Sequence, residues 1–479
     1  MFVGIDLGTS GVKALLMDEM QVVRASAQSS LDVARPAPGW SEQDPADWVS
    51  ATSAALRALA ETEDLSAVRG IGLSGQMHGA TLIDEADRVL RPAILWNDTR
   101  SHAEAAKLDA DPRFRQITGN IVFPGFTAPK IAWVKQHELS VFQNTRRILL
   151  PKDYLRLWLT GEHVSEMSDA SGTSWLDVQA RDWSDDLLSA TDIDRSFMPR
   201  LVEGSAQSGA LRSEIAQEFG LRPGIPVAGG AGDNAASAVG LGVARAGEAF
   251  ISLGTSGVLF AANNTYAPAP ETAVHTFCHA LPGHWHQMGV ILSAADSLSW
   301  LSDVLNTSPT DLISNLEDVS APGRAMFLPY LGGERTPHND AKVRGAFVGL
   351  EHAADRNAMT RAALEGVAFA FRDSQQAMQV TGTVVERMIA VGGGSQSRHW
   401  LRIVATALDT PIAMPEAGDF GAAFGAARLG MIATNGQIDS ALSSPAIADV
   451  VEPEPALKTA FEDAYARFRA LYTALKDLS

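Results

Sequence analysis

The stretch Ile5-Asp6-Leu7-Gly8-Thr9-Ser10-Gly11-Val12 returns, with one change, as Ile251-Ser252-Leu253-Gly254-Thr255-Ser256-Gly257-Val258. So long an identity, near the start of each half, is the mark of an internal duplication. Each copy reads as strand, glycine turn, strand: apolar Phe2, Val3 and Ile5 lead into the turn, and Val12, Ala14, Leu15 and Leu16 follow it. Glycines let a backbone approach a ligand closely, and the N–H and hydroxyl groups of such a turn suit phosphate oxygens. Two such turns predict a polyphosphate gripped from both sides. The copies differ at Asp6 and Ser252. A carboxylate beside phosphate needs a cation between them, so Asp6 is the candidate partner of a hydrated Mg²⁺.

Two domains of about 240 residues fit a 479-residue chain and the offset of the repeat. We place the boundary around Val243 to Gly247, giving units 1–245 and 246–479 joined through a hinge. Hydrophobic residues at 46% and charged residues at 20% are a globular balance. The net charge of −18, without a basic run, argues against nucleic acid and anionic membrane as partners. The single cysteine excludes intrachain disulfides and cysteine-rich zinc sites. With no signal-like N-terminus and no stretch apolar enough to span a bilayer, a cytoplasmic protein is expected.

Along the chain, Asp44-Pro45 caps a predicted helix to about Leu59, and a strand over 68–73 ends in the loop Ser74-Gly75-Gln76-Met77-His78-Gly79. The apolar run Ala93 to Trp96 ends similarly. Residues 127–158 read as mostly helical, with an interruption at Leu149 to Lys152. Pro226-Val227-Ala228 enters the turn Gly229 to Asn234, and a helix of small residues starts near Asn234. The second half offers a hairpin from Ala249, helices over 293–305 and 357–378, a strand over 388–391, the turn Gly392-Gly393-Gly394, and a helix over 397–408.

The chain holds no G-x-x-x-x-G-K-[ST], and neither late glycine turn continues as a dinucleotide fingerprint. The turn at Gly392 to Gly394 instead suits the flat face of adenine. Asp233, in a turn of small residues, could take a hydroxyl proton during attack on phosphorus. It could equally be a helix N-cap. Met77 and His78 could line a polar ligand's pocket or serve the fold. Trp40, Trp48, Trp133, Trp158, Trp183, Trp300 and Trp400 read as core or interdomain residues.

Taken together, Gly4 to Ser10, the second LGTSG and the late GGG resemble the FGGY carbohydrate kinases, within the duplicated α/β fold shared by actin and hexokinase. Gly125-Phe126-Thr127-Ala128-Pro129-Lys130-Ile131-Ala132-Trp133 is similar to the family's first signature. Gly345 to Leu350 with Ala362 to Glu365 approximates the second, which departs at Ala358, where a polar or acidic residue is usual. Gly39 to Pro45, Gly75 to Thr81, Pro151 to Arg156 and Gly333 to His338 are most similar to bacterial members that phosphorylate D-xylulose.

The resemblance implies ATP and Mg²⁺ as cofactors, D-xylulose as acceptor in pentose catabolism, and a homodimer. It implies that Met77, His78 and Asn234 bind the sugar and that Asp233 is the general base. Asp6 would sit by Mg²⁺; Gly8, Thr9, Ser10 and Lys13 would hold phosphate from one side, and Gly254, Thr255 and Ser256 from the other. Gly393, Gly394 and Ser397 would border the adenosine. The alternatives are a kinase for ribulose, glycerol or a deoxysugar, or an actin-like protein that uses ATP only as a switch.

Overall fold

The structure is a computed structural model that describes residues 1–416, 418 and 420–478. It contains two seven-stranded sheets built on one plan. In the first, Phe2–Leu7, Gly11–Met17 and Val23–Ser30 form an antiparallel meander. Gly70–Gly75 and then Pro226–Ala228 add in parallel on the other side, and Gln207–Ala210 closes the edge. The second sheet repeats this with Glu248–Leu253, Gly257–Asn263 and Trp285–Ile291, then Arg387–Val391, Ile412–Pro415 and the edge strand Ile447–Val451. Each sheet has one addition as its seventh strand, Ala231–Gly232 beside Gly70–Gly75 in the first and His275–Cys278 in the second.

The identical hairpin sequences do not pair identically. Leu7 faces Val12 across the first hairpin, whereas Leu253 faces Gly257 across the second. The second turn is therefore one residue shorter, and it is held from outside: Ala294 N–H and Ala295 N–H, at the start of helix Ala295–Val304, donate to Thr255 O and Gly254 O at 2.9 and 2.8 Å. A one-residue slip reverses the faces of a strand. Val12 is accordingly buried in the first core, while Val258 looks into the cleft, and the residue opposite Asp6 is Lys13 where the residue opposite Ser252 is Val258.

Helix Pro45–Thr62, capped by Asp44 accepting from Ala46 N–H at 2.9 Å, covers the outer face of the first sheet with Trp48, Ala55, Leu56 and Leu59. Helix Arg356–Gln379 does the same for the second, where Phe371 and Ser374 lie against Gly257 and Gly289. The inner faces are covered by exchange. Helix Ala422–Asn435, late in the chain, lies on the first sheet so closely that a Cβ at Gly4 or Gly72 would meet Ala423 O at 1.9 Å or Ala426 O at 1.8 Å. Helix Asp233–Leu241 leaves the first sheet and packs Ala238 and Leu241 with Phe250, Phe260 and Ile389 of the second. The two helices cross at Gly425, whose Cβ would lie 1.8 Å from Ala236 O. Residues 422–435 thus belong structurally to the first sheet although they fall in the second half of the sequence.

Between the second and third core strands' partners, residues 76–200 form a helical and aromatic lobe with its own core, in which Trp133 and Trp175 are buried. The helical run expected over 127–158 is three helices, Thr127–His137, Leu139–Asn144 and Pro151–Thr160. The interruption is a strand, Arg147–Leu149, paired with Thr81–Ile83.

Candidate active site

A cavity of about 350 Å³ opens between the carboxyl ends of the two sets of strands. The first half contributes Met77, His78, Trp96, Asp233 and Asn234; the second contributes Ser252, Gly254, Thr255, Ser256 and Arg335. Four of the sugar-side residues expected from the sequence and all three of the second hairpin's therefore share one space.

His78 adopts a left-handed backbone, φ 67°, unusual for a residue with a Cβ. Its carbonyl is held by Lys130 Nζ at 2.8 Å and Thr127 Oγ1 at 3.1 Å, and Lys130 Nζ also donates to Gly125 O at 2.7 Å. The first signature thus fixes the loop that carries His78. The ring stacks on Phe126, centroids 4.6 Å apart, and burial together with the Lys130 charge lowers its pKa to about 3. It is neutral at pH 7. Nδ1 lies 2.8 Å from Gly172 O, which can only accept, so Nδ1 carries the hydrogen and Nε2 is an acceptor. A hydroxyl in the cavity finds there a lone pair and no charge.

Asp233 is the first residue of its helix, not the cap; Gly232 stands at the cap position. Asn234 N–H and Nδ2–H donate to its Oδ1 at 2.7 and 2.9 Å. Burial raises the carboxyl's pKa, against those two bonds. A carboxylate made more basic by desolvation, in the wall of a ligand cavity, is the chemistry of a general base.

The turn before Asp233 is anchored by a buried ion cluster. Ser168 Oγ accepts from Gly232 N–H at 3.1 Å and itself donates to Glu166; Arg156 donates to Gly229 O. Lys152 Nζ bridges Asp153, Glu166 and Asp169 at 2.9, 3.2 and 2.9 Å. Burial, with the Asp153 and Glu166 carboxylates beside it, raises the Asp169 carboxyl's pKa against the pull of Lys152. Pro151 to Arg156, quoted above only for its resemblance, supplies Lys152, Asp153 and Arg156 of this cluster.

The first hairpin stands beside the cavity rather than lining it. Gly8 N–H closes the turn on Gly11 O at 3.0 Å. Thr9 Oγ1 donates to Gln76 Oε1 at 3.1 Å and accepts from Trp96 Nε1–H at 2.9 Å, which ties the hairpin to the sugar loop and to the cavity wall. Ser10 is exposed, and Asp6 and Lys13 face one another across the strands. Asp6 is half-buried at the strand's carboxyl end. Among the described residues no group of three or more His, Cys, Asp or Glu could hold a metal. One carboxylate at a phosphate turn suits Mg²⁺, which keeps waters and phosphate oxygens as its other ligands.

A second cavity of about 350 Å³ lies on the far side of the second hairpin, walled by Gly392, Ser395, Gln396, Met414 and Phe420, with Ser237 of the crossing helix. Gly393, Gly394 and Ser397 adjoin this space without lining it: Ser397 Oγ caps helix Arg398–Leu408 by accepting from Trp400 N–H at 3.2 Å, and a Cβ at Gly394 would meet Leu253 Cβ and the Trp400 ring at 2.9 Å. The turn's flat wall is Gly392, at φ 90°, pressed on Leu253.

Trp96, Arg335 and His275 of the cavity were not singled out from the sequence. Trp96 ends an apolar run at a strand's carboxyl end, a signal that was present. Trp300, read as core, is 37% exposed and stacks on Phe327 at its edge.

Comparison with known proteins agrees with this architecture. Models of the N-terminal and C-terminal domains of the FGGY family of carbohydrate kinases match residues 1–240 and 249–434. The chain is 48% identical to a xylulose kinase of Escherichia coli (strain K12) over 438 residues, covering 91% of this chain and 90% of the relative. A solved xyloylose kinase from Brucella ovis superposes with a TM-score of 0.98 at 61% identity over 100% of both chains. A xylulose kinase from Rhodospirillum rubrum gives 0.92 at 30% identity, over 100% of this chain and 99% of that one.

Proposed function

The chain belongs to the FGGY family of carbohydrate kinases, and we propose that it transfers the γ-phosphoryl group of ATP to the terminal hydroxyl of D-xylulose, giving D-xylulose 5-phosphate and ADP. The observation that carries this reading is the shared cavity in which the Met77-His78 loop, the basic carboxylate of Asp233 and the second phosphate turn meet. The choice of sugar draws on similarity to the xylulose kinases above.

His78 Nε2 and the Asn234 amide orient the sugar. Asp233 takes the proton of the C5 hydroxyl as its oxygen attacks the γ-phosphorus in line; the bond to the β–γ bridging oxygen breaks and ADP leaves. N–H groups of Gly254, Thr255 and Ser256 face the equatorial oxygens. Asp6 would hold a hydrated Mg²⁺, which would supply charge neutralisation at the triphosphate. The body built on the first sheet, which includes residues 422–435, and the body built on the second close over the sugar, with Val243 to Gly247 as one of the hinge segments, and this excludes water from the transfer. The adenosine takes the cavity walled by Gly392, Ser395 and Gln396. A homodimer and a cytoplasmic setting go with this reading from the family resemblance, and sedimentation equilibrium tests the first.

The substrate is tested by ADP release at saturating Mg-ATP across ketopentoses, aldoses and polyols. D-xylulose turns over fastest. Faster turnover of glycerol or L-ribulose retires the sugar assignment and leaves the phosphoryl-transfer machinery standing.

A further inference from the structure

Among the described residues lining the sugar cavity, Arg335 is the one that carries a permanent positive charge, and it comes from the half opposite Met77 and His78. Its backbone is fixed on both sides to strand Trp285–Ile291 and its extension. Thr336 N–H donates to Val290 O at 3.1 Å, Val290 N–H donates to Thr336 Oγ1 at 3.0 Å, and Leu292 N–H donates to Glu334 Oε1 at 3.0 Å. The guanidinium lies 4.7 Å from the centre of the Phe123 ring, and among the described residues no carboxylate pairs with it. Its neighbour Glu334 does not pair with the guanidinium: Glu334 Oε1 accepts from Leu292 N–H and from Arg335's own backbone N–H at 2.7 Å, and burial pushes the carboxyl up to about 8.

A guanidinium brought into a protein cavity, with its donors aimed at no protein acceptor, is costly unless a ligand completes it. The groups around it decide which ligand. The guanidinium lies on Phe123, whose ring centre is 5.2 Å from that of His275, and His78 stacks on the neighbouring Phe126 at 4.6 Å, so Arg335 belongs to the His78–His275 wall of the cavity, where both imidazoles are neutral. His78 Nε2 and Asp233 are acceptors and suit hydroxyls; a ketone oxygen can only accept and needs a donor. We propose that Arg335 reaches across the cleft to the ketone end of an open-chain 2-ketose, and is the residue by which this site prefers a ketose to the alcohol formed by reducing it. The guanidinium already meets the first half at Phe123, and the sugar contact adds a second link between the halves. This rests on the kinase reading above and adds the means of selecting the acceptor.

The test uses Arg335→Gln and Arg335→Lys in the full chain, with thermal melts as a check of folding. Calorimetry gives the dissociation constants of D-xylulose and of a nonhydrolysable ATP analogue, and ADP release gives kcat and KM for D-xylulose and for the two pentitols obtained by reducing its carbonyl. Arg335→Gln is expected to weaken sugar binding by about 10- to 100-fold, to cut the preference for D-xylulose over the pentitols by about 10-fold or more, and to leave the nucleotide constant within about twofold. Arg335→Lys, which keeps the charge and loses the planar fork, should fall between, and carries the test alone if the glutamine variant does not fold. Sugar binding within about twofold of the parent, an unchanged ketose preference, or a loss on the nucleotide side instead would overturn the proposal. A parent that phosphorylates a different ketose overturns the substrate reading alone, because the same ratios are then measured for that ketose and its reduced alcohols.

Discussion

Asp233 begins a helix whose cap position is filled by glycine, so its carboxylate is not needed to hold the helix start. Asp233→Asn keeps an oxygen and the shape of the turn but removes the basic site. Turnover should fall by about 10²- to 10⁴-fold, roughly 3 to 5 kcal/mol of barrier, while calorimetry shows sugar binding retained. A variant within tenfold of the parent would place the base elsewhere. The pH profile carries the same sign: burial raises the Asp233 pKa, and the base must be deprotonated, so kcat should fall on acidification with a midpoint above the usual carboxylate range. For Asp6→Ala, weaker use of Mg-ATP with sugar binding intact is expected, and steady-state titration of Mg²⁺ checks it. The residue types at these positions were legible in the sequence because each sits in a glycine turn at a strand end. Arg335 was not, since what makes it notable is the company the other half of the chain supplies.

At the scale of elements, the repeat announced two hairpins but not their register. The slip that puts Val12 in a core and Val258 in the cleft is imposed by a helix start some forty residues downstream of the turn, which local pattern does not contain. The exchange of helices was hidden for the same reason: Gly4, Gly72 and Gly425 look like ordinary small residues until the opposing backbone is in place. Gly425→Ala should therefore cost about 3 kcal/mol or more in denaturant unfolding, because its Cβ would meet backbone rather than a side chain that can move. The hairpin from His275 to Ile291 carries another testable feature. His286 stacks on Phe260 with centroids 4.3 Å apart, and burial holds its pKa well below 6.5. The unfolded chain thus binds a proton there that the folded one does not, and its contribution to stability is complete above pH 6.5 and declines as the pH falls. His286→Phe should lose less stability than the parent between pH 6.5 and 4.5, by about 1.4 kcal/mol per pH unit. Equal pH slopes for the two would mean that this ring is already charged.

The whole molecule is two copies of one sheet plan that hold each other's helices and leave a cleft between their strand ends. The duplication could be read from the two turns, and the fold class from the family resemblance that they carry together with the late GGG; the intertwining could not, because it depends on contacts between residues hundreds of positions apart. Such a body can close without separating. Saturating D-xylulose with a nonhydrolysable ATP analogue should reduce the radius of gyration in solution scattering, and no change would count against closure. The central claim, that both halves serve one transfer to a sugar, is tested most directly by phosphorus NMR of the products formed from Mg-ATP and D-xylulose. The account predicts a phosphate monoester at the C5 oxygen formed in step with ADP. Inorganic phosphate without a sugar ester, the signature of a nucleotide switch, would contradict it.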